Sequence, residues 1–116
     1  MDSGESFAKG FFSVAYVTVP NDNVAESLAR GLVERKLAAC VNIIPGLKSI
    51  YEWNGVVEEG NELLLMIKTK TSVVEELTSY VRAHHPYAVA EVIVLPIEGG
   101  NMPYLQWLNS SVPDKS

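Results

Sequence analysis

The order in which strand and helix signals alternate along this chain leaves little choice of architecture. Phe11 to Val19 (FFSVAYVTV) is rich in β-branched and aromatic residues and stops at Pro20, which predicts a strand. Asn21, Asp22 and Asn23 offer helix caps, and Asn23 with Glu26 three residues later fits a capping box. Val24, Ala25, Leu28, Ala29, Leu32 and Val33 then recur at helical spacing and predict an amphipathic helix ending near Lys36. Leu37 to Ile44 predicts a second strand, bent or bulged at Pro45-Gly46 and resuming to Trp53. Asn54-Gly55 is the pair a type I′ hairpin turn demands, because both central residues must take positive φ. The chain returns through Val56 to Lys70, with Gly60 read as a second bulge. Ser72 and Glu75 form a second capping box ahead of a helical stripe of Val73, Val74, Leu77, Tyr80 and Val81, which Pro86 ends. Ala88 to Ile97 predicts a fourth strand, and Pro103 opens a short third helix carrying Tyr104, Leu105 and Leu108.

The sum is an α+β chain of order β-α-β-β-α-β with an extra C-terminal helix, the split βαβ arrangement of ferredoxin-like antiparallel sheets. Right-handed crossovers place both long helices on one sheet face. The other face keeps large apolar residues with only the terminal helix to cover them, and the ribbon around Tyr51, Trp53 and Val56 is longer than a small sheet supports alone. Self-association is the expected remedy, since one cysteine, Cys40, allows no intrachain disulfide. Residues 11–112 read as one domain, 1–10 as a disordered lead and 113–116 as a disordered tail.

Composition removes several functions. A formal charge of −5 with nine scattered Lys and Arg gives no footprint for nucleic acid and no polybasic run for an anionic membrane. No apolar run reaches the roughly 18–20 residues of a membrane span, so no direct membrane insertion is expected. The first ten residues have no apolar signal core, so the chain as given reads as cytoplasmic, although an upstream targeting segment could have been removed. The loop after the first strand has no Cys-x-x-Cys, no arginine and no glycine-rich phosphate nest, which argues against copper-chaperone and acyl-phosphate hydrolase domains of this shape.

Several unusual blocks, in one order from about Ser13 to Asn109, resemble the CutA (divalent-cation tolerance) family. They are YVTVPND, LVERKLAACVNIIPG, SIYEWNG, IKTK, HHPYAVAEVIVLPI and GNMPYLQWL, and their tone is closer to the animal members. The resemblance implies a compact homotrimer with hairpins shared between subunits and ligand clefts between them, as in PII-type trimers. It implies no catalysed reaction, an association with tolerance of copper and other divalent cations, and in animals a link to acetylcholinesterase processing and membrane anchoring.

Carried over by motif, the implied copper ligands are His84 and Glu91, while the family's cysteine position falls on Val17. Two such ligands bind Cu(II) or another divalent cation only weakly, so no cofactor is required. Ala88, where a polar residue is common after HPY, removes a further acidic ligand. The plainer reading of His84 is a cation at a helix C-terminus, with His85 solvated beside it. Glu91 interrupts an apolar strand and reads as a buried carboxylate paired with Lys68, either structural or lining a cleft between subunits. Tyr87, Tyr104 and Trp107 could wall that cleft but read first as core and interface side chains. Tyr51 and Trp53 read as trimer contacts, and Cys40 as a small buried hydrophobe. A small enzyme using His84 or His85 as acid or base is the weakest reading, because no nucleophile–base–orienter set is apparent.

Overall fold

The computed structural model describes residues 6–114, and the expected lead over 1–5 and tail over 115–116 lie outside the described residues. β1 (Phe12–Val19) is followed by α1 (Asp22–Glu34), the paired strands β2 (Cys40–Trp53) and β3 (Val56–Lys70), α2 (Val74–His84), β4 (Ile93–Ile97) and α3 (Met102–Ser111). The sheet is antiparallel in the order β2-β3-β1-β4, as the split βαβ reading requires. No helix among the described residues is long and apolar enough to cross a membrane.

The core lies between one sheet face and the two long helices. Alternation along β1 sends Ala15, Val17 and Val19 to that side, opposite Ile67, Leu65 and Leu63 of β3, where they meet Leu28 and Leu32 of α1 and Leu77 and Val81 of α2. The even-numbered positions of β1 and their partners put Tyr16, Leu64, Met66, Ile93 and Leu95 on the other face. There α3 covers only one end, where Leu105 and Leu108 close on Phe12, Phe7 and Ile97. Ile93 and Leu95 stay exposed, and so do Ile50, Tyr51, Trp53, Val56 and Val57 at the tip of the β2–β3 hairpin. The turn at that tip has positive φ at both Asn54 (52°) and Gly55 (79°).

Several boundaries depart from expectation for local reasons. The first helix is capped by Asn21, whose Oδ1 accepts from the Val24 N–H at 2.9 Å, and not by the Asn23–Glu26 box. It closes one turn before β2 begins: Lys36 takes φ 59° and the Leu37 N–H returns to the Leu32 carbonyl, so Leu37 and Ala38 pack as a buried corner. The Pro45-Gly46 irregularity is present as a register shift between Ile44 and Leu47, whereas Gly60 pairs in regular register with Ser49 and marks no bulge. The second capping box does not set the start of α2, because Ser72 lies inside a 3-10 turn (Thr71–Val73) and Val73 holds the cap position.

The segments flanking the domain also pack. Phe7 stacks on Phe11 at 5.4 Å and the Gly10 N–H bonds the Ile97 carbonyl, so Ser6–Gly10 is part of the structure and not a disordered lead. Asp114 likewise meets Lys70 Nζ at 3.0 Å, an ion pair whose lysine is almost wholly buried. Cys40 is half-buried, not a core thiol. It opens an edge strand on the face away from α1 and α2, opposite Lys68, with Sγ 3.8 Å from Asn42 Oδ1.

Candidate functional site

β4 begins at Ile93 and not at Ala88, and the reason lies in His85. The β1–β4 ladder ends at Tyr16 opposite Ile93. Two residues further along β1, the Thr18 carbonyl, which a longer β4 would have taken, lies 2.8 Å from His85 Nε2. A carbonyl can only accept, so Nε2 carries the ring proton and Nδ1 is left as an acceptor. The Tyr87 N–H donates to that Nδ1 at 3.1 Å. His85 is thus only 8% exposed, with both ring nitrogens used, and the expectation that it is solvated fails. The imidazole fastens the 86–92 segment to the sheet in place of strand pairing.

The segment so held forms one wall of a groove of about 600 Å³. Thr18 and Glu62 lie on its floor, Ser49, Ile50, Tyr51 and Trp53 of the hairpin form the second wall, and Tyr87, Ala88, Val89 and Glu91 the first. The Tyr87 hydroxyl donates to Glu62 Oε2 at 2.8 Å and bridges the walls to β3. Partial burial first, and then the hydrogen bond to Glu62 and its negative charge, push the Tyr87 pKa up to about 12. The charged residues lining the groove, Glu62 and Glu91, are both acidic.

The expected site residues divide among three places. Glu91, Tyr87, Tyr51 and Trp53 do come together in the groove. Glu91 is exposed there and is not the buried carboxylate expected, because it stands in the irregular segment and not in a central strand. It is not paired with Lys68, whose Nζ lies 5.5 Å from the centre of the Tyr104 ring on the α3 side. Tyr104 pairs with Trp107 at 5.3 Å, so these two aromatics belong to the α3 patch and do not wall the groove. His84 lies outside the groove as well: its ring stacks on Tyr80 at 4.1 Å and its Nδ1 lies 2.8 Å from the Tyr80 carbonyl, in keeping with the plainer helix-end reading. Glu62 was missed. Its role depends on a tyrosine 25 positions away, and no local pattern in ELLLMIKTK marks it out.

The ligand set that the resemblance implied does not assemble within one chain. Val17 is fully buried beneath the helices, His84 sits at the end of α2, and Glu91 lines a groove with Thr18, which faces away from Val17 along β1. Among the described residues no group of three or more His, Cys, Asp or Glu converges as metal ligands must. These residues do not fit a copper site made by a single chain.

Fold and site together define a ferredoxin-like α+β domain with an uncovered apolar sheet face and an acidic, aromatic-lined groove beside the outer half of its hairpin. Residues 13–111 match the CutA1 divalent ion tolerance protein family, and the chain belongs to it. The Protein CutA homolog of Xenopus laevis is 62% identical over 97% of this chain and 74% of its own length, and human Protein CutA is 58% identical over 92% of this chain. The chain spans 60% of the human protein's length. The structure of the Thermus thermophilus divalent cation tolerance protein (Cut A1) superposes with a TM-score of 0.86 at 50% identity, covering 88% of this chain and 99% of that one.

Proposed function

We propose that this protein serves divalent-cation tolerance as a non-enzymatic homotrimer, whose ligand clefts form where subunits meet. The observation that carries this is the uncovered apolar surface: the exposed ribbon from Ile50 to Val57 and the open sheet face with Ile93 and Leu95. A monomer would leave both in water, and burying them between copies supplies the stabilisation that a core of this size lacks. The absence of catalysis is supported by the histidines, since both nitrogens of His85 and Nδ1 of His84 are taken up by structural partners. Copper or another divalent cation would need ligands from a second subunit to supplement Glu91 or His84.

A second reading is a trimeric scaffold for a partner such as the acetylcholinesterase anchoring machinery of animal cells. It is favoured by the dispersal of Val17, His84 and Glu91. Native mass spectrometry during a Cu(II) titration, comparing the parent with His84→Ala, separates the two. A trimer taking up copper stoichiometrically in the parent alone supports the cation cleft, and a trimer without discrete uptake supports the scaffold. A monomer overturns both.

A further inference from the structure

We propose that residues 112–114 form a charge-keyed strap, held shut by the buried ammonium of Lys70 and released by any change that takes the charge from Asp114. The device lies at the end of the sheet that α3 covers, and it needs neither a metal nor a particular assembly.

Two features make the segment a strap. α3 places Leu105 and Leu108 in the small cluster with Phe12, whereas Val112, the residue after the helix, is fully buried in the main core between the sheet and the long helices. The chain therefore passes from one sheet face to the other and ties the two clusters together. Beyond Val112, Pro113 has no N–H to give, and among the described residues no backbone hydrogen bond holds 113–114. The hold there is the Lys70–Asp114 ion pair at 3.0 Å.

The pair is asymmetric. The Lys70 side chain is only 4% exposed, and that of Asp114 is 74% exposed. Among the described residues the other neighbour of Nζ is the Phe11 ring, its centre 5.9 Å away, a weak substitute for a carboxylate. An ammonium so enclosed is stable only while paired, whereas the carboxylate stays solvated without it. With the charge at 114 gone, the flexible stem of Lys70 must carry the ammonium to water, past the side on which it already faces Asp114. Lifting the strap frees the last turn of α3, the helix that closes Leu108 on Phe12 and Ile97. The bare strip of Ile93 and Leu95 then lengthens toward Phe12 and Ile97 along the same ladder.

The test compares the parent chain with Asp114→Asn and with the double variant Lys70→Met/Asp114→Asn by amide exchange. Acylation of Lys70 by an amine-reactive ester, read by peptide mass spectrometry, is the second readout for the parent and the single variant. In Asp114→Asn, exchange in the last turn of α3 and acylation of Lys70 should each rise roughly tenfold or more, while β1 and α1 stay protected. The double variant should keep the slow exchange of the parent, because a buried thioether needs no charged partner. Unchanged exchange and acylation in Asp114→Asn overturn the strap. Equal opening in the double variant overturns it as well, since the contact would then hold by packing and not by charge. Loss of protection in β1 also overturns it, because the segment would then not open on its own.

Discussion

Gly31 sits in the interior of α1, where alanine would ordinarily stabilise a helix by about 1 kcal/mol. Here Gly31→Ala is expected to do the reverse. A Cβ at this position overlaps the Tyr80 hydroxyl and comes within 2.8 Å of Tyr80 Cζ. The ring cannot swing aside freely, because the Arg35 guanidinium lies 4.8 Å from its centre and the His84 imidazole stacks on it at 4.1 Å. Forcing one extra carbon into packed side chains costs about 1–3 kcal/mol, and displacing the ring forfeits a cation–π contact of about 0.5–1 kcal/mol. Set against the propensity gain, the net expectation is a loss of about 0.5–3 kcal/mol. Urea denaturation at matched protein concentration measures it, since the proposed assembly would link stability to concentration. In a Tyr80→Leu background the clash is gone and the same Gly31→Ala change should stabilise by up to about 1 kcal/mol. Stabilisation by Gly31→Ala with Tyr80 intact would refute the idea that this ring is held where α1 and α2 meet.

Tyr87 should titrate late. Absorbance titration of phenolate should show Tyr87 ionising near pH 12, and Glu62→Gln should move it back toward the ordinary value without fully restoring it, since burial is the larger cause. Because the folded pKa lies above the unfolded one, the stability this group contributes is fully present below about pH 10 and is lost as pH rises toward 12. Replacing His85 with Phe, which keeps a ring but removes both partners, should release the 86–92 segment. Amide exchange at Tyr87 should then speed up by tenfold or more, on the order of one lost buried hydrogen bond, while the helices keep their protection. Trp53→Ala should weaken self-association, seen as a falling trimer fraction on dilution in native mass spectrometry, and an unchanged fraction would remove Trp53 from the interface.

The architecture was largely legible because its signals are local. Asn54-Gly55 specifies its turn through backbone sterics alone, and the alternation in FFSVAYVTV assigns Val17 and Thr18 to opposite faces before any contact is known. The start of the fourth strand was not legible, because AVAEVIVL has the composition of a strand while pairing is decided by which group takes the Thr18 carbonyl. The same gap hid the site. Tyr51, Trp53, Tyr87 and Glu91 could be named from their blocks, but their grouping with Glu62, and the separation of His84, Lys68, Tyr104 and Trp107, follow from tertiary geometry. Cys40 was misplaced because an apolar run such as LAACVNII does not announce that its strand lies at an edge.

The two outer strands of the sheet, β2 and β4, each contain a proline, Pro45 and Pro96. A proline has no amide hydrogen, so neither border can offer an unbroken row of donors to an incoming strand. On β2 the register shift beside Pro45 divides the border further, into the stretches Cys40–Ile44 and Leu47–Trp53. A chain that associates through bare apolar surface, as proposed above, runs the risk of doing so without end, sheet added to sheet into a fibre. Prolines on both borders hinder open-ended strand addition while leaving the sheet face and ribbon tip free to pack, as the closed assembly proposed above requires.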